Sequence, residues 1–403
     1  MDRNAIMCRS FNPVGQGAFY TETFRIYNNE EEIHTVYDCG STRYELIKER
    51  IESTFRKKEK IDAVFISHFH TDHVNGLEFL LNRCDVKRIF LPVLHTAAEN
   101  LYLLQLKMTM EKSEYDFLSK FIKNPESVLK GNKSTQIIRV EQTRNHDSET
   151  EEEINSDPIM IDNESVNSNP LIIESGTPCK LEKNDFQWMY APYNYVNISE
   201  EKATELLEKL KEELKKALED PNIDISPENM PELYKSLKPK DKKEFEKFYS
   251  AISKDKNINS MVVYSGPIPE KTSKHQYFMT CGDYVMCNRC FCWAWHRDCI
   301  NKVGCLYTGD YDAKKNWNKL EHHFRKYRDF IGTWQIPHHG AKSSYNKFIS
   351  KENIHTAIIS AGSESQYKHP HGEVVRDLLF KNINLLVVTE ERHSQANFLI
   401  YSG

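Results

Sequence analysis

Hydrophobic and polar positions along the chain predict a mixture of strands and helices. Short β-branched and apolar runs predict buried strands, as at residues 61–66 and 86–91. Residues 96–122 carry apolar side chains at helical spacing, which predicts helix with a face in the core. The pattern therefore indicates an α/β (α+β) chain, although it does not determine how the elements pack.

Three segments depart from this pattern, and we interpret them as insertions in a single domain that spans residues 1–403. Residues 141–170 are rich in Asn, Ser, Glu and Asp and cannot bury enough apolar surface to offset ordering, so we expect a mobile loop. Residues 197–256 predict a pair of charged helices outside the core, the first capped by Ser199. Residues 281–305 are rich in cysteine.

Composition narrows the class of protein. The net charge of −5 over 403 residues argues against binding nucleic acid through bulk positive charge, although a local basic groove would be compatible with it. The longest apolar runs fall short of the roughly 18 to 20 residues of a membrane span, and residues 1–10 lack the apolar core of a signal peptide. We therefore expect a cytoplasmic protein with no membrane association, whose ten cysteines are free thiols or metal ligands.

The richest stretch in chemistry is residues 67–76, which follows a predicted strand and precedes a predicted helix. Side chains two apart on an extended backbone share a face, so His68 and His70 point the same way. The turn that follows brings Asp72 and His73 back beside them. Imidazole and carboxylate groups suit divalent ions such as zinc or manganese, so this stretch predicts a metal site.

A second metal site is predicted within the cysteine-rich segment. Its spacing, with two ligand pairs separated by a short loop, is typical of a zinc knuckle. The alternative is a set of reduced thiols without metal. The predicted ligands of this structural zinc are Cys287, Cys290, His296 and Cys299.

The His-x-His-x-Asp-His arrangement at residues 68–73 resembles the metal-binding signature of the metallo-β-lactamase fold. That resemblance implies an αββα sandwich, with metals at one edge between two sheets. The Val-Gly-Gln-Gly turn at residues 14–17 and the Asp-Cys-Gly strand end at residues 38–40 resemble one branch, the nuclease-like domain of bacterial DNA-uptake competence proteins and its stand-alone relatives. The branch has Asp where this chain has Ala18.

The resemblance also implies further site residues. Asp38 would be a buried carboxylate that steadies the metal-binding turn. Asp310, in the Thr-Gly-Asp strand end, would bridge two metal ions, and one of His338 and His339 would complete the second ion's shell. The sequence leaves open which of these two histidines binds. It also leaves open whether a third histidine on the first ion exists, with His95 and His146 as the candidates.

These residues together predict a hydrolase that uses two divalent ions, Zn²⁺ or Mn²⁺. Asp72 would orient the attacking water and accept its proton, and His369 or His371 would protonate the leaving group. The competence-branch resemblance implies a phosphodiester substrate, with nucleic acid first and a cyclic-nucleotide or phosphocholine-type compound as the alternative. A third hypothesis is that the chain is a subunit of a bacterial antiviral assembly, in which residues 197–256 dock a protein partner.

Overall fold

The computed structural model describes residues 5–29, 31–110, 112–129, 135–143, 157–162, 170–183, 186–252, 258–269, 277–281, 302–352, 354–365 and 367–402. Two large sheets dominate these residues. Strands and helices are numbered below in chain order.

The first sheet contains nine strands among the described residues. Five strands at one side of this sheet are parallel to their neighbours, and all other neighbouring pairs are antiparallel. The five parallel strands are residues 33–41, 63–65, 88–92, 136–140 and 171–173. In spatial order the strands are β10 (Leu171–Ile173), β8 (Gln136–Val140), β7 (Arg88–Pro92), β5 (Ala63–Phe65), β3 (Ile33–Ser41), β2 (Gly17–Ile26), β1 (Ala5–Phe11), β19 (Ala396–Ser402) and β14 (Tyr277–Cys281).

The second sheet contains eight strands within the same described ranges. The four at one side of it, which lie between residues 304 and 388, are parallel to one another. In spatial order they are β18 (Asn384–Val388), β17 (Thr356–Ser360), β16 (Ile331–Gln335), β15 (Gly304–Tyr307), β13 (Asn259–Gly266), β12 (Phe186–Val196), β11 (Cys179–Lys183) and β9 (Ile159–Met160). A separate two-stranded ribbon joins β4 (Lys60–Ile61) and β6 (Asp85–Val86).

Helices cover the outer faces of both sheets. Their bounds are α1 (Tyr44–Thr54), α2 (Thr71–Val74), α3 (Leu77–Arg83), α4 (Thr96–Thr109), α5 (Lys112–Lys123), α6 (Pro125–Val128), α7 (Glu200–Leu218), α8 (Met230–Ser236), α9 (Pro239–Ile252), α10 (Trp317–Phe324) and α11 (Gly372–Phe380). None of the helices in the described part of the chain has the length and apolar character needed to cross a bilayer.

Alternation along the strands divides the core into layers. In β3, Tyr37 packs between the two sheets, whereas its neighbour Val36 packs under the helices of the first sheet. In β13, Val263 faces the space between the sheets and Val262 faces the helices of the second sheet. Successive side chains point to opposite faces of a strand, so this division defines four layers. The chain therefore has the metallo-β-lactamase αββα sandwich fold that the resemblance implied.

The helical insertion differs from its prediction in two respects. The described part of this segment, residues 197–252, forms three helices, whereas the sequence predicted a pair. Their apolar side chains also belong to the core under the first sheet, because Leu207, Leu210 and Leu214 share one face of α7 and are buried. Charged residues dominate the composition but occupy the other faces. The prediction that this segment lies outside the core was therefore wrong, whereas its role in docking stays a prediction.

The polar segment 141–170 contains a short strand, β9, where the sequence predicted a mobile loop throughout. This strand pairs in parallel with β11, and Ile161 next to it is fully buried. Three consecutive apolar residues, at positions 159–161 of a polar segment, were too few to predict a strand by alternation. The predicted zinc ligands Cys287, Cys290, His296 and Cys299 lie outside the described residues.

Candidate metal centre

The histidine-rich turn lies where β5 ends and α3 begins. His68 and His73 are buried, with ring centroids 4.2 Å apart, and the His68 and His70 centroids are 4.6 Å apart. The extended backbone at His70 and the short helix α2 produce this clustering, since α2 returns His73 toward the end of the strand. The structure thus brings together the imidazoles that the sequence predicted to converge.

Asp38 supports this turn from the neighbouring strand β3. Its carboxylate accepts hydrogen bonds from the Ser67 backbone N–H at 2.7 Å, the Ser67 hydroxyl at 2.6 Å and His73 Nδ1 at 2.8 Å. The carboxylate is fully buried, so these three donors satisfy a group that would otherwise destabilise the fold. Because Nδ1 of His73 is bound in this way, Nε2 is the nitrogen that faces the site.

Two glycines allow the backbone of other elements to contact this turn. A Cβ on Gly40 would lie 2.5 Å from the carbonyl carbon of Asp72 and from the backbone nitrogen of His73. A Cβ on Gly309 would lie 2.7 Å from the Ser67 side chain, and the φ of Gly309 is +52°. Gly40 lies in the first sheet and Gly309 follows the second, so the turn is held between the two halves of the fold.

The turn that carries Asp310 follows β15 and is fixed by side chains from two adjacent strands. The side-chain carbonyl of Gln335 accepts hydrogen bonds from the backbone N–H groups of Thr308 and Gly309, at 2.7 and 2.8 Å. Ser260 donates to the Thr308 carbonyl and accepts from the Asp310 N–H. These contacts direct the Asp310 side chain toward the histidine-rich turn.

The Asp310 carboxylate lies between two groups of imidazoles. Its Oδ2 is 3.6 Å from His68 Nε2, 3.6 Å from His338 Nε2 and 4.0 Å from His70 Nδ1. Its Oδ1 is 3.3 Å from His73 Nε2 and 3.8 Å from His339 Nε2. Each carboxylate oxygen therefore faces its own set of nitrogen atoms.

His338 and His339 both face this carboxylate, although the sequence predicted a role for only one of them. Nδ1 of His339 bonds the Ser360 carbonyl at 2.8 Å, and its Nε2 lies 3.2 Å from Asp72 Oδ2. Nδ1 of His338 contacts the Ser344 hydroxyl at 3.1 Å. Both histidines have positive φ values, 50° and 54°, which costs about 1–2 kcal/mol per residue. Such backbone strain is typical of functional sites.

The donor groups fit divalent metal ions. Two sets of three residues could each hold an ion, because one ligand atom from each member lies within 4.8 Å of the others in its set. The first set is His68, His70 and Asp310, and the second is Asp72, His73 and His339. Among the described residues, the Nε2 atoms of four buried histidines have no hydrogen-bond partner, which would be costly unless a cation or proton satisfied them. These four are His68, His70, His73 and His339.

The electrostatics of the site also favour cations. Burial acts to raise the pKa of Asp310, but His338, His73 and His68 outweigh burial and hold that pKa well below its usual value. Burial lowers the pKa of His70 to about 3. For His73, burial acts to lower the pKa, but Asp310 and other carboxylates raise it well above its usual value. The ionised Asp310 and the neutral His70 are the forms that bind metal, whereas His73 would have to release its proton on binding.

His369 lies beside the pair His338 and His339, in the loop after β17. Its ring centroid is 5.6 Å from that of His338 and 6.2 Å from that of His339. Burial lowers the pKa of His369 to about 3. His371, the alternative proton donor, has its ring centroid 5.0 Å from that of His369.

His95 and His146 were the candidates for a third histidine on the first ion, and the structure describes one of them. His95 is the N-cap of α4, since its Nδ1 accepts from the Ala98 N–H at 3.1 Å, and its Nε2 lies 3.3 Å from the Ile198 carbonyl. His95 therefore caps α4 and does not face the metal centre. His146 lies outside the described residues. His338 Nε2 lies 3.6 Å from the same Asp310 oxygen as His68 Nε2.

Sequence reasoning missed the residues that position the predicted site residues. Gln335 and Ser360 act through hydrogen bonds to the turns that carry Asp310 and His339. Tyr102 packs its ring against His70, with centroids 5.4 Å apart, and donates its hydroxyl to Asn259. These residues are distant in sequence from the motifs, so a single sequence holds no spacing signal for them.

In the comparison with protein families, residues 24–153 match the model of the metallo-beta-lactamase superfamily. The matched segment contains the histidine-rich turn, and the second half of the donor set lies beyond it. Curated proteins give no match to this chain.

Residues 24–153 are therefore similar to a metallo-beta-lactamase superfamily domain, and the fold together with the His/Asp clusters indicates a hydrolase that depends on divalent metal ions. The resemblance to competence proteins stays a prediction.

Proposed function

We propose that this protein is a two-metal phosphodiesterase whose substrate is nucleic acid. The observation that supports this most strongly is the position of the Asp310 carboxylate, with one oxygen toward His68 and the other toward His73. A carboxylate shared between two cations is how a two-metal site holds them about 3.5–4 Å apart.

The geometry suggests which donors would hold each ion. His338 belongs with the first set, because its Nε2 and that of His68 are equally far from the same carboxylate oxygen. His339 belongs with the second set, because its Nε2 lies 3.2 Å from Asp72. The proposed sets are His68, His70, His338 and Asp310 for the first ion, and Asp72, His73, His339 and Asp310 for the second.

Bound ions would lower the pKa of a water molecule toward neutrality and stabilise negative charge on phosphate oxygens. Asp72 orients the attacking water and accepts its proton. Burial acts to raise the pKa of Asp72, but His73 and His339 outweigh burial and keep the carboxylate ionised. His369 is neutral before substrate binds, and a phosphate anion beside it would raise its pKa, so that it can protonate the leaving oxygen.

The rim of the site supports an anionic, base-bearing substrate. Lys342 and Lys368 are exposed and flank the His369–His371 loop, where the Lys342 N–H donates to His371. Tyr367 is 48% exposed and its ring stacks on that of His369 at 5.8 Å. Lysines attract phosphates, and an exposed aromatic ring can stack on a base.

Cleavage of labelled single- and double-stranded DNA and RNA, each with Zn²⁺, Mn²⁺ or Mg²⁺, tests this proposal. We expect the wild type to cleave at least one of these polymers. Asp310→Ala should cleave it about 10³-fold more slowly, because removing one group that stabilises transition-state charge has an effect of that size. Asp329→Asn, a substitution of an exposed carboxylate in the same half of the chain, is the matched control and should leave the rate unchanged.

Failure to cleave any polymer under every metal would contradict nucleic acid as the substrate. Turnover of a chromogenic bis-phosphodiester in the same preparations, abolished by Asp310→Ala, would then assign the site to a small phosphodiester. No turnover of either substrate class would contradict the phosphodiesterase proposal.

A further inference from the structure

A third group of metal-type donors lies at the opposite end of β3 from the metal centre. His34 is near the start of β3, Glu32 precedes that strand, and Glu59 precedes β4. One ligand atom from each of the three residues lies within 4.8 Å of the others. His34 is 6% exposed, and the two glutamates are half-buried, so the group lies at the surface with a buried imidazole beneath it.

The imidazole is oriented so that one nitrogen faces both carboxylates. His34 Nδ1 is hydrogen-bonded to the Thr23 hydroxyl at 3.0 Å. His34 Nε2 lies 3.6 Å from Glu32 Oε2 and 3.5 Å from Glu59 Oε1. Both distances exceed those of an N–H···O hydrogen bond. Three electron-rich atoms therefore converge without hydrogen bonds between them.

Each of the three donors is held in place by a contact through another atom. Glu32 uses its Oε1 to accept from Arg25 Nε at 2.6 Å, and Glu59 uses its Oε2 to accept from the backbone N–H of Arg56. The His34 backbone N–H donates to the Asp62 carboxylate at 2.9 Å, and the Asp62 N–H donates to the His34 carbonyl at 2.8 Å. Such outer contacts orient metal ligands.

We propose that Glu32, His34 and Glu59 form a second binding site for a divalent cation, with zinc the best match. One imidazole and two carboxylates are borderline and hard ligands that suit Zn²⁺, and a fourth position remains for water. Ligands about 2.0–2.1 Å from a tetrahedral zinc are about 3.4 Å from each other. The 3.5 and 3.6 Å separations around His34 Nε2 match that spacing.

Hydrogen bonding sets which ring nitrogen faces this group. With Nδ1 of His34 bonded to the Thr23 hydroxyl, Nε2 is the nitrogen that faces Glu32 and Glu59. The site is independent of the hydrolase proposal, since its donors lie outside both sets around Asp310.

Zinc binding to chelator-treated full-length protein tests the proposal, with zinc per chain measured by elemental analysis and affinity by calorimetry. We expect His34→Gln to bind one zinc fewer per chain than the wild type, and Glu59→Gln to bind that zinc at least tenfold more weakly. Glu31→Gln is the matched control, because Glu31 is an exposed neighbour that faces Lys60 and offers no atom to the group, so it should bind as the wild type does.

Equal zinc content and equal affinity in the wild type and Glu59→Gln would overturn the proposal. Circular dichroism checks that each variant is folded. Should His34→Gln unfold, the half-buried position of Glu59 makes Glu59→Gln the deciding variant.

Discussion

The strand β3 carries a metal-type group at each of its ends, and the two groups differ in how the fold assembles them. At the C-terminal end, Asp38 supports a centre whose donors come from turns after strands of both sheets. About 13 Å away, at the N-terminal end, His34 lies beside Glu32 and Glu59, which precede β3 and β4. The first group is assembled from both large sheets, whereas the second lies within residues 32–59.

This difference has consequences for stability and for function. The centre near Asp38 is buried, and it is strained because His338 and His339 have left-handed backbone conformations. The group at His34 is partly exposed and uses ordinary strand geometry. Strain and burial are typical of sites that perform chemistry, whereas a local exposed group suits a cation that stabilises the fold.

The largest expected effect is at the site end of β3. Asp38→Ala would leave the Ser67 hydroxyl, the Ser67 N–H and His73 Nδ1 without their shared acceptor, which should lower the free energy of unfolding by about 3–5 kcal/mol. Urea unfolding measures this. Asp329→Asn, an exposed substitution, should stay within about 0.5 kcal/mol of the wild type. A change as small for Asp38→Ala would show that Asp38 does not anchor the turn.

A smaller effect is expected from steric crowding at the same end. Gly40→Ala would place a methyl group 2.5 Å from backbone atoms of Asp72 and His73, which should cost about 1–3 kcal/mol and weaken metal binding. Gly372→Ala is the matched control, because a Cβ there meets no atom within 4 Å. Thermal unfolding and metal titration compare the two variants, and equal behaviour would contradict the close packing of β3 against the turn.

In metal-free protein, the histidines at the two ends of β3 should change the free energy of unfolding with pH in opposite directions. The pKa of His73 is raised, so its protonated form stabilises the fold below about pH 6.5, and that contribution is lost as the pH rises through the raised value. The pKa of His34 is lowered by burial, so its contribution is lost as the pH falls below about 6.5. Each pKa unit corresponds to about 1.4 kcal/mol.

Urea unfolding of chelated protein at pH 5, 7 and 9 measures both effects. His73→Gln should remove part of the change between pH 7 and 9, and His34→Gln part of the change between pH 5 and 7. Zinc-loaded wild type should lose the alkaline effect, because a metal-bound imidazole carries no proton to release. The same pH dependence in both variants as in the wild type would contradict this assignment.

The smallest expected effect concerns a histidine that belongs to neither end. His95→Ala removes the N-cap of α4 and should lower the free energy of unfolding by about 1 kcal/mol, while the rate of hydrolysis stays within about twofold of the wild type. A large loss of rate with little loss of stability would instead return His95 to the list of metal ligands.

The sequence predicted the local part of the centre better than the long-range part. Residues 68–73 lie on one turn, so strand and turn geometry alone brought His68, His70 and His73 together. The roles of Asp310 and His339 depended on a resemblance, because they lie 237 and 266 residues beyond His73 in the chain. The two inward-facing imidazoles at His338 and His339 depend on positive φ values, which non-glycine residues rarely adopt.

The helical segment 197–256 shows a different limit of sequence reasoning. Because Glu and Lys dominate its composition, the sequence did not predict that one apolar face is buried. Leu207 and Leu214 on that face pack into the core of the first sheet. The group at His34 was also missed, because Glu59 is far from His34 in the chain and approaches it only through the turn before β4.

Anomalous scattering from crystals grown with Zn²⁺ or Mn²⁺ tests the central claim most directly. The proposed function predicts two ions about 3.5–4 Å apart, one contacted by Asp310 Oδ2 and His68 and the other by Asp310 Oδ1 and His73. A single ion, or two ions with Asp310 bound to neither, would contradict it.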